Sequence, residues 1–163
     1  MHGTFVVFRV GPYRLGVPLD RVERVVAAVA VAPLPDAPEI VLGIVDIARD
    51  IVPVCDVHRR LGVARGPVAA TDRFVVARSA RRRLVLAADE VIGVAALAPD
   101  EGGAPAARVP VPPHLCGVAA APDGIVLIED LDRFLSLDEE GRLAAAIDHQ
   151  GQGDGGSAAG ASA

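Results

Sequence analysis

The chain has 163 residues and a net charge of −5, and 52% of its residues are hydrophobic while only 3% are aromatic. The negative charge argues against general nucleic-acid binding, and no apolar run is long enough to span a bilayer. Since no secretory signal is recognisable at the N-terminus, we expect a cytoplasmic protein with a core of Val, Leu, Ile and Ala. Cys55 and Cys116 lie within apolar strand patterns, and we expect both to be buried thiols.

The first forty residues read as short β-strands followed by a rigid connector. Residues 5–10 and 14–19 are separated by a Gly-Pro-Tyr turn, and residues 22–26 predict a third strand. Prolines 33, 35 and 38 then predict an extended connector, because proline donates no hydrogen bond to a helix or to a central strand.

The stretch 42–61 predicts a β-hairpin followed by a short helix. Its apolar, β-branched limbs at 42–47 and 51–55 flank a polar turn. Asp56 stands at the N-cap position of the helix, and Gly62 stands at its end. Because so apolar a hairpin is not stable alone in water, we expect it to belong to a barrel or a sandwich.

The second half of the chain repeats the first. Residues 5–25 align without a gap with residues 74–94, and residues 43–61 align with residues 117–135. Such self-similarity indicates two copies of one unit of about five strands. We therefore expect a mainly β protein made of two five-stranded β-barrels related by internal duplication, which pack through an apolar seam and carry short helices.

The domain boundaries follow from this repeat. We expect one domain over residues 1–147, with approximate halves at 5–70 and 74–137 and with strands exchanged between the halves as one option. A C-terminal helix is predicted after residue 137, with Asp138 as its cap. Residues 148–163 are rich in Gly, Ser and Ala, and we expect them to be disordered.

Two groups of residues admit more than one interpretation. The run at residues 81–83 consists of three arginines, which indicates either a solvated turn or a patch for phosphate or an acidic partner. Four valines occupy equivalent positions of the two repeats, where they either form plain core or line the seam as a contact for partners; they are Val22, Val25, Val91 and Val94.

Signals of catalysis are weak, and we expect no enzyme. The four histidines are scattered without the spacing of metal ligands. Asp56 and His58 are the one candidate pair for a metal or for a general base. The repeat partners of this pair are Asp130 and Asp132, so N-capping explains Asp56 and Asp130 together. A small hydrolase that uses Asp56 and His58 is kept as an alternative.

The order of these segments resembles the CheW-like domain of chemotaxis coupling proteins. The resemblance covers residue 5 to about residue 137 and is strongest over 32–62, 88–94 and 117–135. It implies two SH3-like five-stranded barrels, no catalytic activity and no cofactor. It also implies a non-enzymatic adaptor, which links the cytoplasmic tip of a chemoreceptor to the regulatory domain of a CheA-type histidine kinase without inserting into the membrane.

The sequence departs from the family pattern at two places. The family's Asn-Leu-Arg-Gly is replaced by Asp46, Ile47, Ala48 and Arg49, so the arginine has shifted by one residue and the turn glycine is absent. Arg24 stands where the family's Val-x-Glu-Val has an acid. These departures leave two alternatives open, namely a divergent regulator in a non-motility pathway and a scaffold that binds the kinase alone.

The resemblance also implies where partners bind. In the family, the receptor contacts the groove between the barrels and the kinase contacts the barrel ends. Carried over to this chain, a partner-binding seam is expected from nine residues, which are Val22, Arg24, Val25, Gly43, Asp46, Ala48, Arg49, Val91 and Val94.

Overall fold

The computed structural model describes residues 3–64, 66–98 and 114–161, the last eleven of them as backbone only. Within these ranges the chain forms ten β-strands and three α-helices. The strands are β1 Gly3–Val10, β2 Tyr13–Pro18, β3 Val22–Ala27, β4 Val41–Ile47, β5 Asp50–Cys55, β6 Arg73–Arg78, β7 Arg83–Ala88, β8 Glu90–Leu97, β9 Leu115–Ala121 and β10 Gly124–Glu129. The helices are α1 Val57–Arg60, α2 Leu131–Phe134 and α3 Leu137–Ala161.

The strands form two five-stranded sheets. Sheet A has the order β8-β1-β2-β10-β9, and sheet B has the order β3-β6-β7-β5-β4. Neighbouring strands are antiparallel except for β2 with β10 and β5 with β7, which are parallel. The prediction of a mainly β protein with two SH3-like five-stranded barrels is confirmed.

Each sheet draws strands from both halves of the sequence. The first two strands of each repeat join the last three strands of the other repeat, so β1 and β2 lie with β8 to β10, and β6 and β7 lie with β3 to β5. Strands are therefore exchanged between the sequence halves 5–70 and 74–137, which is the option that the sequence analysis leaves open. The domain boundary at residue 147 stays a prediction.

The duplication extends to the irregularities of the strands. β3 has a bulge at Glu23 against β6, and β8 has one at Ile92 against β1. These two positions are equivalent in the repeat alignment. Bulges at Leu42 of β4 and at Cys116 of β9 are equivalent as well. Since a bulge re-aims the side chains of its strand, the two repeats share the directions of their side chains as well as their strand order.

The proline connector closes sheet B into a barrel. Ala32 and Ile44 exchange two backbone hydrogen bonds of 2.9 and 2.8 Å, which link the segment after β3 to β4. Gly43 permits this approach, because its φ is 156° and a Cβ atom on it would overlap the Ala32 carbonyl oxygen. The tip of the connector turns at Asp36, whose φ is 66°.

The largest hydrophobic cluster lies between the two barrels, and we call it the inter-barrel core. Strands β1 and β2 of sheet A and strands β6 and β7 of sheet B contribute equivalent residues to it, among them Phe8, Leu15, Val17, Ala77, Leu84 and Leu86. Two smaller clusters fill the barrel interiors. The apolar seam predicted from the repeat therefore exists, and the chain's own side chains fill it.

The prediction for the two cysteines is half right. Cys55 is buried at the end of β5, and burial raises the pKa of its thiol to about 12. Cys116 is exposed, contrary to expectation. It is the bulge residue of β9, and a bulge interrupts the alternation of inward and outward side chains on which the expectation depended.

Helix α3 begins two residues earlier than predicted and packs against the inter-barrel core. Ser136, and not Asp138, is its N-cap, since Ser136 Oγ accepts the Glu139 N–H and Glu139 Oε1 accepts the Ser136 N–H. Leu143 and Ala146 are buried in the inter-barrel core. The backbone continues as helix to Ala161, through the residues for which disorder is predicted.

The arginine run does not form a solvated turn as a whole. Arg82 is ion-paired with Glu140 of α3 at 2.8 Å, and Arg83 is ion-paired with Glu23 and Asp50 at 2.9 and 2.8 Å. Arg81 is exposed. None of the helices within the described ranges has the length and apolar character needed to cross a membrane.

Candidate partner-binding surface

The four valines selected from the repeat divide into two pairs. Val22 and Val91 are half-buried and pack against the inter-barrel core, as the plain-core interpretation predicts. Val25 on β3 and Val94 on β8 are 39% and 61% exposed. Only the second pair is therefore available to a partner, and its members lie on different barrels.

Sequence reasoning missed Ile92, which is 45% exposed and lies on β8 two residues before Val94. As the bulge residue it lies outside the regular alternation of the strand. The repeat alignment contains a signal for this exposure, because its equivalent, Glu23, is charged and charged residues are seldom buried. Ile92 and Val94 together give β8 an exposed apolar surface, which we call the β8 surface.

The equivalent surface of β3 is chemically different. Val25 lies next to Arg24, whose repeat equivalent is Gly93, and Arg24 is exposed. Among the described residues no ion pair involves Arg24, whereas its neighbour Glu23 contacts both Arg78 and Arg83. We call the exposed residues Arg24 and Val25 the β3 surface; because they are successive strand residues, the cation and the apolar side chain point to opposite faces of the sheet.

The β4–β5 turn is a two-residue hairpin loop between Ile47 and Asp50. Its central residues, Ala48 and Arg49, have φ angles of 51° and 72°. Positive φ at both central positions is the requirement of a type I′ turn, which favours Asn-Gly. Asp46 supports the turn, since its Oδ1 accepts the Arg49 N–H at 2.8 Å. The family's glycine would thus occupy a left-handed position that Arg49 holds here.

The nine expected contact residues have different roles in the fold. Gly43 is buried beneath Ala32, Asp46 supports the turn, and Val22 and Val91 contact the core. The remaining five are exposed and lie on three elements, β3, β8 and the β4–β5 turn; they are Arg24, Val25, Ala48, Arg49 and Val94. That they bind a partner stays a prediction.

The candidate catalytic pair does not form. Asp56 caps α1, since its Oδ1 accepts the Arg59 N–H at 3.1 Å, and Asp130 caps α2 in the same way through the Asp132 N–H, so the capping prediction is confirmed. His58 is buried, and its Nε2 lies 3.0 Å from Asp89 Oδ1. The geometry therefore offers no support for a hydrolase that uses Asp56 and His58.

The Asp89 carboxylate instead contacts both the β1–β2 turn and helix α1. Its Oδ2 accepts the Gly11 N–H at 2.7 Å while Oδ1 contacts His58, so one carboxylate joins the β1–β2 turn to α1. Partial burial alone would raise the pKa of Asp89, but the hydrogen bonds from Gly11 and His58 outweigh it and the pKa lies below its ordinary value. No cluster of three His, Cys, Asp or Glu side chains able to hold a metal ion occurs among the described residues.

Comparison with known proteins identifies the family. The model of the CheW-like domain matches residues 4–139. Protein FrzA of Myxococcus xanthus is 32% identical over 121 residues, which are 72% of this chain and 68% of that protein. The crystal structure of the scaffolding protein TtCheW from Thermoanaerobacter tengcongensis has the same fold, with a TM-score of 0.73, 22% identity, and coverage of 85% of this chain and 91% of that one. The chain belongs to the CheW-like domain family.

Proposed function

We propose that this chain is a non-enzymatic adaptor of chemotaxis-type signal transduction in the cytoplasm. In this role it couples the cytoplasmic tip of a chemoreceptor-like protein to the regulatory domain of a CheA-type histidine kinase. The observation that carries the proposal is the match of the CheW-like domain over residues 4–139. TtCheW, which has the same fold, is described as a scaffolding protein.

The two exposed surfaces suit an adaptor because they differ. A coupling protein must bind two dissimilar partners at once. Two identical surfaces would both bind the same partner, whereas two different surfaces can each bind a different one. The β3 surface presents Arg24 and Val25, whereas the β8 surface presents Ile92 and Val94. The inter-barrel core is filled, so we place the contacts on these strands and on the β4–β5 turn, not inside the seam.

The test measures binding of the purified chain to two proteins from its own genome, the kinase regulatory domain and a receptor cytoplasmic fragment. We expect Val25→Asp and Val94→Asp each to weaken binding of one partner by about tenfold or more, because a charge enters an apolar contact. Leu137→Asp is the matched control, since Leu137 is an exposed apolar residue of α3, an element that contributes to neither surface. Binding of the unmodified chain to neither partner would contradict the adaptor role.

The β4–β5 turn favours a second candidate, a divergent regulator in a non-motility pathway or a scaffold that binds the kinase alone. Ala48 and Arg49 hold positive φ where the family has Arg-Gly, so this turn presents a different side chain at each position. On this alternative, the double variant Ala48→Arg/Arg49→Gly leaves receptor binding unchanged or weaker. A gain in receptor affinity would rule it out.

A further inference from the structure

A cleft that is open to solvent lies between the proline connector, helix α1 and helix α3, and we call it the arginine cleft. Its volume is about 360 Å³. Charged side chains line it together with Ile40; they are Arg59, Arg60, Arg142, Glu39 and Glu139. Three guanidinium groups from two helices thus line one cavity, in a chain whose net charge is −5.

The fold brings the walls of the arginine cleft together by local contacts. The Ile40 carbonyl accepts the Asp56 N–H at 2.7 Å, which holds the end of the connector at the start of α1. The last turn of α1 carries two of the three arginines. Arg142 lies three residues after Glu139 on α3, and residues at this spacing are neighbours on the surface of a helix. Both helices therefore direct guanidinium groups to the same cavity.

Arg60 supplies a fixed positive charge in the arginine cleft. Its side chain is only 23% exposed, and its Nη2 contacts Glu139 Oε1 at 2.5 Å. Its guanidinium carbon lies 5.3 Å from the centre of the Phe134 ring. The Nε–H group of Arg60 is buried and has no hydrogen-bond partner in the part of the chain that the structure describes. The contacts that hold Arg60 in place therefore leave part of its donor capacity unused.

Arg59 and Arg142 are held less firmly than Arg60. Arg59 is ion-paired with Glu39, and Arg142 lies 3.8 Å from Asp138, and all four side chains are more than half exposed. Exposed pairs of this kind contribute little to stability, so both acids can turn to solvent at low cost. Among the described residues, the Arg59 side chain makes one hydrogen bond and the Arg142 side chain makes none. Most of their N–H donors are thus available to an incoming acceptor.

We propose that the arginine cleft binds a dianionic phosphate group, held by Arg59 and Arg142 with Arg60 beside them. The oxygens of one phosphate group accept hydrogen bonds from more than one guanidinium fork, which a single carboxylate in this cleft does not do. When Glu39 and Asp138 turn to solvent, the two freed arginines balance the two negative charges of the phosphate group. The site does not depend on the adaptor role proposed above.

The equivalent helix of the other half provides a control. The repeat alignment places Arg133 of α2 opposite Arg59, but it places Phe134 opposite Arg60. Arg133 is 69% exposed in its side chain and lies 3.5 Å from Asp130. An exposed arginine thus occurs at the same helix position without a second arginine next to it. Its removal reports the effect of one surface charge alone.

Titration of the full chain with inorganic phosphate at pH 8, followed by calorimetry, tests the site. We expect saturable binding below about 10 mM, which Arg59→Ala and Arg142→Ala each weaken by about tenfold because each removes a charge-assisted contact. Arg133→Ala should change the affinity by less than about twofold. No saturable binding, or equal losses in all three variants, would overturn the proposal.

Removal of a competing carboxylate should have the opposite effect. Glu39→Gln should strengthen phosphate binding by about threefold, because Glu39 then no longer competes as an anion for Arg59. Glu90→Gln is the control with the same change of net charge, since Glu90 is exposed and ion-paired with Arg9 of β1. Equal gains in the two variants would show a general effect of charge and would contradict the site.

ADP, titrated in the same way, distinguishes the two sources of a phosphate group. Tighter binding of ADP than of inorganic phosphate, with the same losses in Arg59→Ala and Arg142→Ala, assigns the cleft to a phosphate ester. Weaker binding of ADP assigns it to free phosphate. Binding of either probe that is unchanged in both variants would place the ligand elsewhere and overturn the proposal.

Discussion

The two hairpins that carry the short helices show what the duplication has kept and what it has changed. β4–β5 with α1 and β9–β10 with α2 share the bulge, the parallel pairing of the second strand and an aspartate at the helix N-cap. Their side chains differ at the turn and at the buried corner, where extending the repeat alignment by three residues makes Ile40 and Cys55 the equivalents of His114 and Glu129. The two hairpins thus share their backbone geometry but differ in the side chains buried at this corner.

The β1–β2 and β6–β7 turns are a second pair of equivalent sites, where the backbone contact is kept and the residue that makes it differs. The β1–β2 turn has the Gly11 N–H bound by Asp89, and the β6–β7 turn has the Ala80 N–H bound at 2.7 Å by Asp132, a residue of α2. Asp132 is the repeat equivalent of His58, which on the first site contacts Asp89. In each turn a carboxylate accepts this N–H group, and the carboxylate comes from a different part of the repeat in each half.

The largest expected effect is at Gly43. Gly43→Ala combines an unfavourable φ of 156° with overlap of the Ala32 carbonyl, so we expect a loss of about 4 kcal/mol in the free energy of unfolding. Gly93→Ala is the matched control, because Gly93 has a φ of 153° and open space around it. It should cost only about 1 kcal/mol. Equal losses in denaturant unfolding would show that barrel closure at Ala32 does not depend on Gly43.

The next effect is at Asp89. Asp89→Ala removes the hydrogen bonds to Gly11 and His58 and should lower the free energy of unfolding by about 2 kcal/mol at pH 7. Because the pKa of Asp89 is lowered in the folded state, its contribution is present above the ordinary value of 3.8 and is lost as the pH falls through the folded-state pKa.

The difference in the free energy of unfolding between Asp89→Ala and the unmodified chain should therefore become smaller as the pH is lowered. Asp20→Ala is the control, since Asp20 is the repeat equivalent of Asp89 and is exposed. A loss at Asp20 as large as that at Asp89 would mean that the contacts with Gly11 and His58 contribute little.

The smallest expected effect is a gain in stability when Arg49 is replaced by glycine. Arg49→Gly relieves a left-handed residue in the β4–β5 turn and should raise the free energy of unfolding by about 1 kcal/mol. Asp123→Gly at the equivalent turn is the control: Asp123 does not have a positive φ and is paired with Arg14 at 2.7 Å, so glycine there should destabilise. If both variants change the midpoint of thermal unfolding in the same direction, strain at Arg49 is not the cause.

Periodicity and internal repetition predict most of this fold. The strands and the caps at Asp56 and Asp130 follow from local patterns that depend on few neighbours, whereas the exchange of strands between the two sheets depends on long-range pairing. The cap of α3 was predicted at Asp138 although Ser136 and Glu139 have the spacing of a capping box. The burial expected for Cys116 is wrong, and the exposure of Ile92 is missed, for one reason. Each is the bulge residue of its strand, and a bulge shifts the alternation of side chains without a signature in the sequence of a single strand.

The binding surface was harder to predict than the fold. An apolar face predicts burial but does not show whether the chain itself or a partner covers it, and Val22 and Val91 proved to be covered by the chain. Long-range ion pairs such as Arg82 with Glu140 depend on how α3 crosses the barrels, which no local pattern encodes. The contact of His114 with Glu129 likewise joins the start of β9 to the end of β10, and no local pattern encodes it.

The central claim is that this chain bridges a receptor-like protein and a kinase, and retention of the kinase regulatory domain on an immobilised receptor fragment tests it directly. With the chain added, we expect the kinase domain to be retained, and with Val94→Asp or Val25→Asp the concentration of the chain needed for the same retention should rise by about tenfold or more. The kinase domain should not be retained when the chain is omitted. Equal retention with and without the chain, or no retention in its presence, would contradict the account.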